Sequence, residues 1–266
     1  MMQASRGYDK HGEDYPYTCL FIAGLPKSGT SWLESMLASF PGYARVMIPE
    51  AIVHERRQGG THDFDVPEDL FRRFDQRLAV LKLHAQGSDW NARLLEEANL
   101  PYVVMYRDLR DVAVSYLFYV KRTPWHPDHL KYCDLGIEEG LLRFGRTLLP
   151  EYVDWIREWH DQRDDERSLI VRYEDLLKDT ENLFREVTDL YNLNANTEEV
   201  SGIVDAHRFD RMSGGRDRGD QDSASFFRKG VSGDWKQHFT PPVTQLFKEK
   251  AGRALVEFGY EEDEKW

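Results

Sequence analysis

The 266-residue sequence predicts a single α/β domain, a central and mainly parallel sheet flanked by helices, and three observations predict it. Short apolar runs, Leu20–Ala23, Leu78–Leu83 and Leu100–Tyr106, have the unbroken character of strands buried on both faces. Segments of helical periodicity alternate with them, as in βαβ units. The first run ends in a loop with four residues between Gly24 and Gly29, opening a helix in the P-loop nucleotide-kinase-like manner. A hydrophobic content of 41% suits one substantial core, and the length requires no second domain.

Residues 1–16 are polar and without periodicity, which predicts a flexible N-terminal tail ahead of a domain over 17–266. The loop after the first strand is shaped to fold its N–H groups round an anion at a helix N-terminus, where the dipole adds positive potential. It departs from an ATP loop, which places Lys directly after the second Gly and then a hydroxyl on Mg²⁺. Here Lys27 precedes Gly29, and Thr30 and Ser31 follow it. The cation is thereby shifted towards the bridging region of the anion. That suits a nucleotide whose 5′-phosphate carries a group to be transferred, with Lys27 stabilising the charge left behind.

Pro26-Lys-Ser-Gly-Thr-Ser-Trp32 resembles the 5′-phosphosulfate loop of the cytosolic-type sulfotransferases that use 3′-phosphoadenosine-5′-phosphosulfate (PAPS). Two further segments match in order, so the resemblance spans residues 17 to 240. It implies that Lys27, Ser28, Gly29, Thr30, Ser31 and Trp32 hold the donor, and that its product is 3′-phosphoadenosine-5′-phosphate (PAP).

Trp32–Phe40 reads as an amphipathic helix stopped near Pro41-Gly42. Tyr43–Phe74 is charged and irregular, either a segment covering the substrate site or a surface insertion. Leu78–His84 is a strand whose end delivers Lys82 and His84 to a crevice. An imidazole has the unperturbed pKa of a base near neutral pH. The Lys-x-His spacing resembles the family's base motif, which implies that His84 deprotonates the acceptor and Lys82 stands beside the transferring group. Leu100–Arg107 is the next strand, and Asp108–Ser115 opens a helix. Arg107 and Ser115, eight apart across the strand end, can reach one phosphate. The resemblance makes it the 3′-phosphate, while Arg110 and Asp111 read as exposed helix charges.

Tyr119–Arg146 reads as a mobile segment near the acceptor, with His126 and His129 as surface histidines lacking a metal-ligand spacing. Leu148–Trp159 is a core helix, and Ser168–Tyr173 a strand ahead of a helical region. By resemblance Tyr173 contacts the adenosine, and Phe209 is stacked opposite Trp32. His207 stands where the family usually carries a small hydroxyl residue. Ser213–Ser225 reads as flexible and as a lid over bound nucleotide. Phe226-Phe-Arg-Lys-Gly-Val-Ser-Gly-Asp-Trp-Lys236 is the third matching segment, and implies that Phe227, Arg228, Lys229 and Gly230 complete the cofactor site. A last helix covers Val243–Phe258. The family's dimerisation stretch would fall near Lys236–Gln245, but Pro241-Pro242 departs from it and leaves the oligomeric state open.

The net charge of −12 disfavours nucleic acid and other polyanionic partners. Two cysteines, Cys19 and Cys133, make a disulfide framework improbable, and no run is long enough to span a bilayer. With no apolar leader in Met1–Tyr17, the expected location is the cytoplasm. The expected reaction is in-line sulfuryl transfer from PAPS, without a metal, to the hydroxyl or amine of a small-molecule, lipid or glycosyl acceptor. Trp125 and Tyr132 in the variable segments favour neutral or apolar acceptors. The alternatives are an ATP-dependent small-molecule kinase and a non-catalytic nucleotide-binding protein.

Overall fold

The first apolar run forms β1, Cys19–Gly24, buried along its whole length. Alternation divides it between two cores: Cys19, Phe21 and Ala23 enter one apolar cluster, Leu20 and Ile22 the other. A strand with apolar side chains on both faces needs helices on both. The computed structural model, which describes residues 1–58, 62–222, 225 and 228–266, supplies them.

In chain order the first half holds α1 (Met2–His11), β1, α2 (Thr30–Leu37), β2 (Ala44–Val46), α3 (Pro49–Gln58), β3 (Ala79–Leu83), α4 (Asp89–Glu97), β4 (Tyr102–Tyr106) and α5 (Leu109–Lys121). Then follow α6 (His129–Tyr132), α7 (Ile137–Arg146), α8 (Leu148–Asp161), β5 (Ser168–Arg172), α9 (Tyr173–Lys178), α10 (Thr180–Leu190), α11 (Thr197–Ala206), α12 (Phe209–Met212) and α13 (Pro241–Glu257). Among the described residues the strands form one parallel sheet in the order β2-β3-β1-β4-β5. Leu33, Met36 and Leu37 of α2, with Phe184 and Val187 of α10, cover one face. Leu117, Phe144, Trp155, Trp159 and Phe247, from α5, α7, α8 and α13, cover the other.

The chain leaves β1 to one side through β3 and returns on the other through β4. In such sheets a crevice forms outside the carboxyl ends where the connections diverge. Register brings Ala23 level with both Leu83 and Val104. The loop after β1, His84 after β3, Arg107 after β4 and Tyr173 after β5 therefore all leave the sheet on this one edge.

Three expectations are corrected. Residues 1–16 hold a docked helix: Ala4 is buried, its carbonyl accepts from Leu78 N at 3.1 Å, and a Cβ on Gly7 would lie 1.9 Å from the Gly42 carbonyl oxygen. Ala4 and Gly7 make the close contacts and Tyr8 packs beside them, too short an apolar pattern for hydrophobic periodicity to register. The segment 43–74 includes β2 and α3. The stretch 119–146, expected as mobile, is largely helical and places Tyr132, at 2% exposure, in the core. No helix among the described residues is long and apolar enough to cross a membrane.

Candidate functional site

The loop between β1 and α2 is held by hydrogen bonds from Leu25 N to the Met105 carbonyl at 2.8 Å and from Ser28 N to the Leu25 carbonyl at 3.3 Å. Lys27 and Gly29 both take positive φ, 67° and 81°. At Gly29 a Cβ would meet the Tyr173 ring at 2.6 Å, so only glycine fits. Gly29 caps α2 from this left-handed conformation, and a cavity opens beside it.

Lys27, Gly29, Thr30, Ser31 and Trp32 line one side of that cavity. Arg107, Ser115 and Tyr173 line a second side, and Phe209, Arg228, Lys229 and Gly230 a third. Ser28 is fully buried in the loop behind them. Phe227 lies outside the described residues. Trp32 meets the Tyr173 ring edge-on at 6.4 Å, and its indole N–H donates to the His207 carbonyl at 2.9 Å. At residue 207 the backbone thus enters the contact. Gly230, with φ 67°, sits so near Phe209 that a Cβ would lie 2.4 Å from its ring. Described residues of the segment 213–225 run along this wall, with Gly219 N donating to the Lys229 carbonyl and Asp222 N to the Arg228 carbonyl, each at 2.9 Å.

Arg107 is buried, its guanidinium 4.4 Å from the Tyr173 ring centroid, and Nη2 donates to the Val231 carbonyl at 2.7 Å. The structure corrects the expectation for its neighbours. Arg110 and Asp111 are 2% and 1% exposed, not surface charges. Arg110 Nη2 pairs with Asp108 at 2.7 Å, Nη1 bonds to Glu261, and the guanidinium lies between the rings of Trp235 and Trp266. Asp111 accepts from Gly233 N at 2.7 Å and Trp235 N at 2.9 Å. Asp234 bonds Arg228 and accepts from Lys229 Nζ at 2.6 Å. The sequence reading missed both carboxylates; the Gly-Asp-Trp string carried the only signal, for Asp234.

Lys82 and His84 do not line this cavity. His84 flanks the loop on the β3 side, where its Nδ1 bonds the Gly24 carbonyl. A carbonyl only accepts, so Nδ1 carries the hydrogen and Nε2 keeps the lone pair. Burial, then the charges of Lys82 and Lys27, push the imidazole down to about 3. Lys82 pairs with Ile22 and so shares its α2-side face. Lys27 is pushed down to about 7 by burial and then by Arg122, Arg107, Lys82 and Arg228. Its ammonium lies 3.9 Å above the Tyr119 ring, a partner the sequence did not reveal. His126, expected at the surface, is 7% exposed and accepts from Asp128 N through Nδ1 at 3.1 Å.

Ser28 Oγ, Arg107 Nε and Arg228 Nη1 are buried and have no hydrogen-bond partner among the described residues. Stranded donors of this kind are rare unless a ligand satisfies them. Arg107 and Arg228 line the cavity, where these two nitrogens fit an anionic group of a ligand, whereas Ser28 lies behind the lining.

Residues 18–259 match the family described as the sulfotransferase domain. The chain is 25% identical over 251 residues to Sulfotransferase 1E1 of Cavia porcellus, covering 86% of this chain and 80% of that protein. To Sulfotransferase 1 family member D1 of Rattus norvegicus it is 27% identical over 264 residues, covering 90% and 83%. Among solved structures, mouse sulfotransferase SULT7A1 complexed with PAP shares the fold at TM-score 0.64 and 20% identity, over 97% of this chain and 95% of that one. Retinol dehydratase in a complex with retinol and PAP does so at 0.65 and 19%, over 94% and 86%. With the family match running from the residue before β1 to the residue after α13 and its C-cap, the chain belongs to the sulfotransferase domain family.

Proposed function

We propose that the chain transfers a sulfuryl group from PAPS to the hydroxyl or amine of a small-molecule, lipid or glycosyl acceptor, with His84 as general base. The observation that carries the reading is one cavity lined by cations from three segments of the chain and by aromatic side chains. Lys27 and the amides and hydroxyls of Gly29, Thr30 and Ser31 come from the loop after β1 and the head of α2; Arg107 follows β4, Ser115 lies on α5, and Arg228 and Lys229 come from the segment before α13. The cavity-lining residues Arg107 and Arg228, whose Nε and Nη1 have no hydrogen-bond partner among the described residues, support the fit of a phosphorylated adenosine.

Bound there, PAPS supplies the sulfuryl group. The α2 N-terminus and Lys27 hold its 5′ end and stabilise the charge left on the departing phosphate. Arg107, Ser115, Arg228 and Lys229 take the 3′-phosphate. Trp32, Tyr173 and Phe209 enclose the base and exclude water. His84, neutral because burial and two lysines oppose its charging, accepts the acceptor's proton at Nε2. An anionic donor offsets the Lys27 and Lys82 charges that depress it, making the imidazole a better base once the site is filled. Charge development is met by cations and amides, so the mechanism invokes no metal.

Incubation with labelled PAPS and a panel of hydroxylated and aminated acceptors tests the reading. Transfer is expected with the native chain, and His84→Ala should abolish turnover while leaving PAP affinity within about twofold. Native rates in that variant would remove His84 from the chemistry. A native chain that transfers label to no acceptor and binds PAP is the non-catalytic alternative.

A further inference from the structure

Two carboxylates hold the far end of the cavity together, and neither faces the ligand as a binding group. Asp234 is 2% exposed and Asp111 is 1% exposed. Asp234 bonds one Arg228 nitrogen, Nη2, and Lys229 Nζ, and lies 3.4 Å from His238 Nε2. Burial works to raise its carboxyl, yet bonds with His238, Lys229 and Arg228 hold it well below the usual carboxylate range. Asp111 ties down the backbone of the same segment through Gly233 N and Trp235 N, and its Oδ2 lies 3.2 Å from Arg107 Nη2.

Resting on the reading above, we propose that Asp234 and Asp111 are positioning residues that set the 3′-phosphate clamp before the nucleotide arrives, and so give the site its selectivity for a 3′-phosphorylated nucleotide. Arg107 follows β4 directly, and Arg228 and Lys229 lie in a loop more than a hundred residues later; their mutual alignment has to be imposed. The two carboxylates impose it from opposite directions, Asp234 on the side chains and Asp111 on the main chain and Arg107. Each holds the Nη2 of one guanidinium. Arg228 Nη1 and Arg107 Nε make no hydrogen bond among the described residues, the latter lying 3.9 Å from Glu174 Oε1, and remain for the phosphate. An aspartate that merely competed with the phosphate would instead occupy those atoms.

A buried pair of this kind cannot lose one partner without leaving the other stranded, and charged hydrogen bonds are the ones whose loss is most costly. The test compares calorimetric affinities for PAP and for 5′-AMP, which lacks the 3′-phosphate, in the native chain and in Asp234→Asn. The native chain should prefer PAP. In the variant PAP affinity should fall about tenfold to hundredfold, 5′-AMP affinity should stay unchanged, and KM for PAPS should rise while kcat at saturation holds. General loosening of the fold would weaken both nucleotides together, and that outcome overturns the proposal. So does PAP binding as tight as native or tighter, which would make Asp234 a competitor. Asp111→Asn carries the same comparison if Asp234→Asn does not fold. A native chain without preference for PAP would defeat the sulfotransferase reading of the cavity itself, whereas a native preference that survives both substitutions defeats only the positioning role.

Discussion

Lys27 and His84 are set by the same local physics, burial next to like charge, but with opposite consequences for their work. Lys27 ordinarily stays an ammonium to about pH 10.5; here burial and four neighbouring cations bring it down to about 7. Its charge is complete only well below pH 7 and is lost as pH rises through 7. His84, pushed down to about 3, stays neutral across the whole working range. The kcat/KM for the donor, which reports the free enzyme and the free donor, should therefore fall about tenfold per unit above pH 7, while a limb at about 6 belongs to the donor's own 3′-phosphate. At saturating donor no histidine limb should appear near 6.5. Initial rates from pH 5 to 9 check this; a kcat/KM profile without an alkaline fall would contradict the Lys27 assignment, and an acid limb in kcat near 6.5 the His84 one. The Tyr119 ring, 3.9 Å from the Lys27 ammonium, is the neutral surface against which that buried cation rests.

At the scale of elements, two glycines separate close approach from backbone strain. Gly230 and Gly214 both have positive φ, 67° and 80°. A Cβ at 230 would meet the Phe209 ring at 2.4 Å, whereas at 214 nothing lies within 4 Å. Either alanine costs on the order of 1–2 kcal/mol of backbone strain. Only Gly230→Ala should also displace Phe209 from the cavity and lower PAP affinity at least about tenfold, because a bulky ring has no small adjustment available. Equal affinities in the two variants, measured by calorimetry, would separate Phe209 from nucleotide binding. The strands carrying the site were legible because β1, β3 and β4 are apolar runs closed by Gly24, His84 and Arg107. Helix α1 was not, since it docks through Ala4, Gly7 and Tyr8 in an otherwise polar sequence. Asp111 sits in the first turn of α5, where a carboxylate is already explained by the helix dipole, so its sequence position concealed its partners 122 and 124 residues away. Arg110 was hidden in the same way: it pairs locally with Asp108, but its burial comes from Trp235, Trp266 and Glu261.

Across the whole molecule, a chain of net charge −12 concentrates five cations, Lys27, Arg107, Arg218, Arg228 and Lys229, on one cavity. An acidic exterior disfavours extended polyanions, while the cavity attracts a compact one. That contrast is built by the sheet, whose divergence at β1 sends the loop, His84 and Arg107 to one edge, and by the C-terminal segment, which packs Trp266 against Trp235 at 5.5 Å behind the far wall. The account depends on one cavity gripping a nucleotide at two separate phosphates. Calorimetric titration of the native chain with PAP, and separately with ATP and Mg²⁺, tests it most directly. One PAP bound per chain with no heat from ATP–Mg²⁺ is the predicted result; saturable binding of ATP–Mg²⁺ with PAP silent would contradict it.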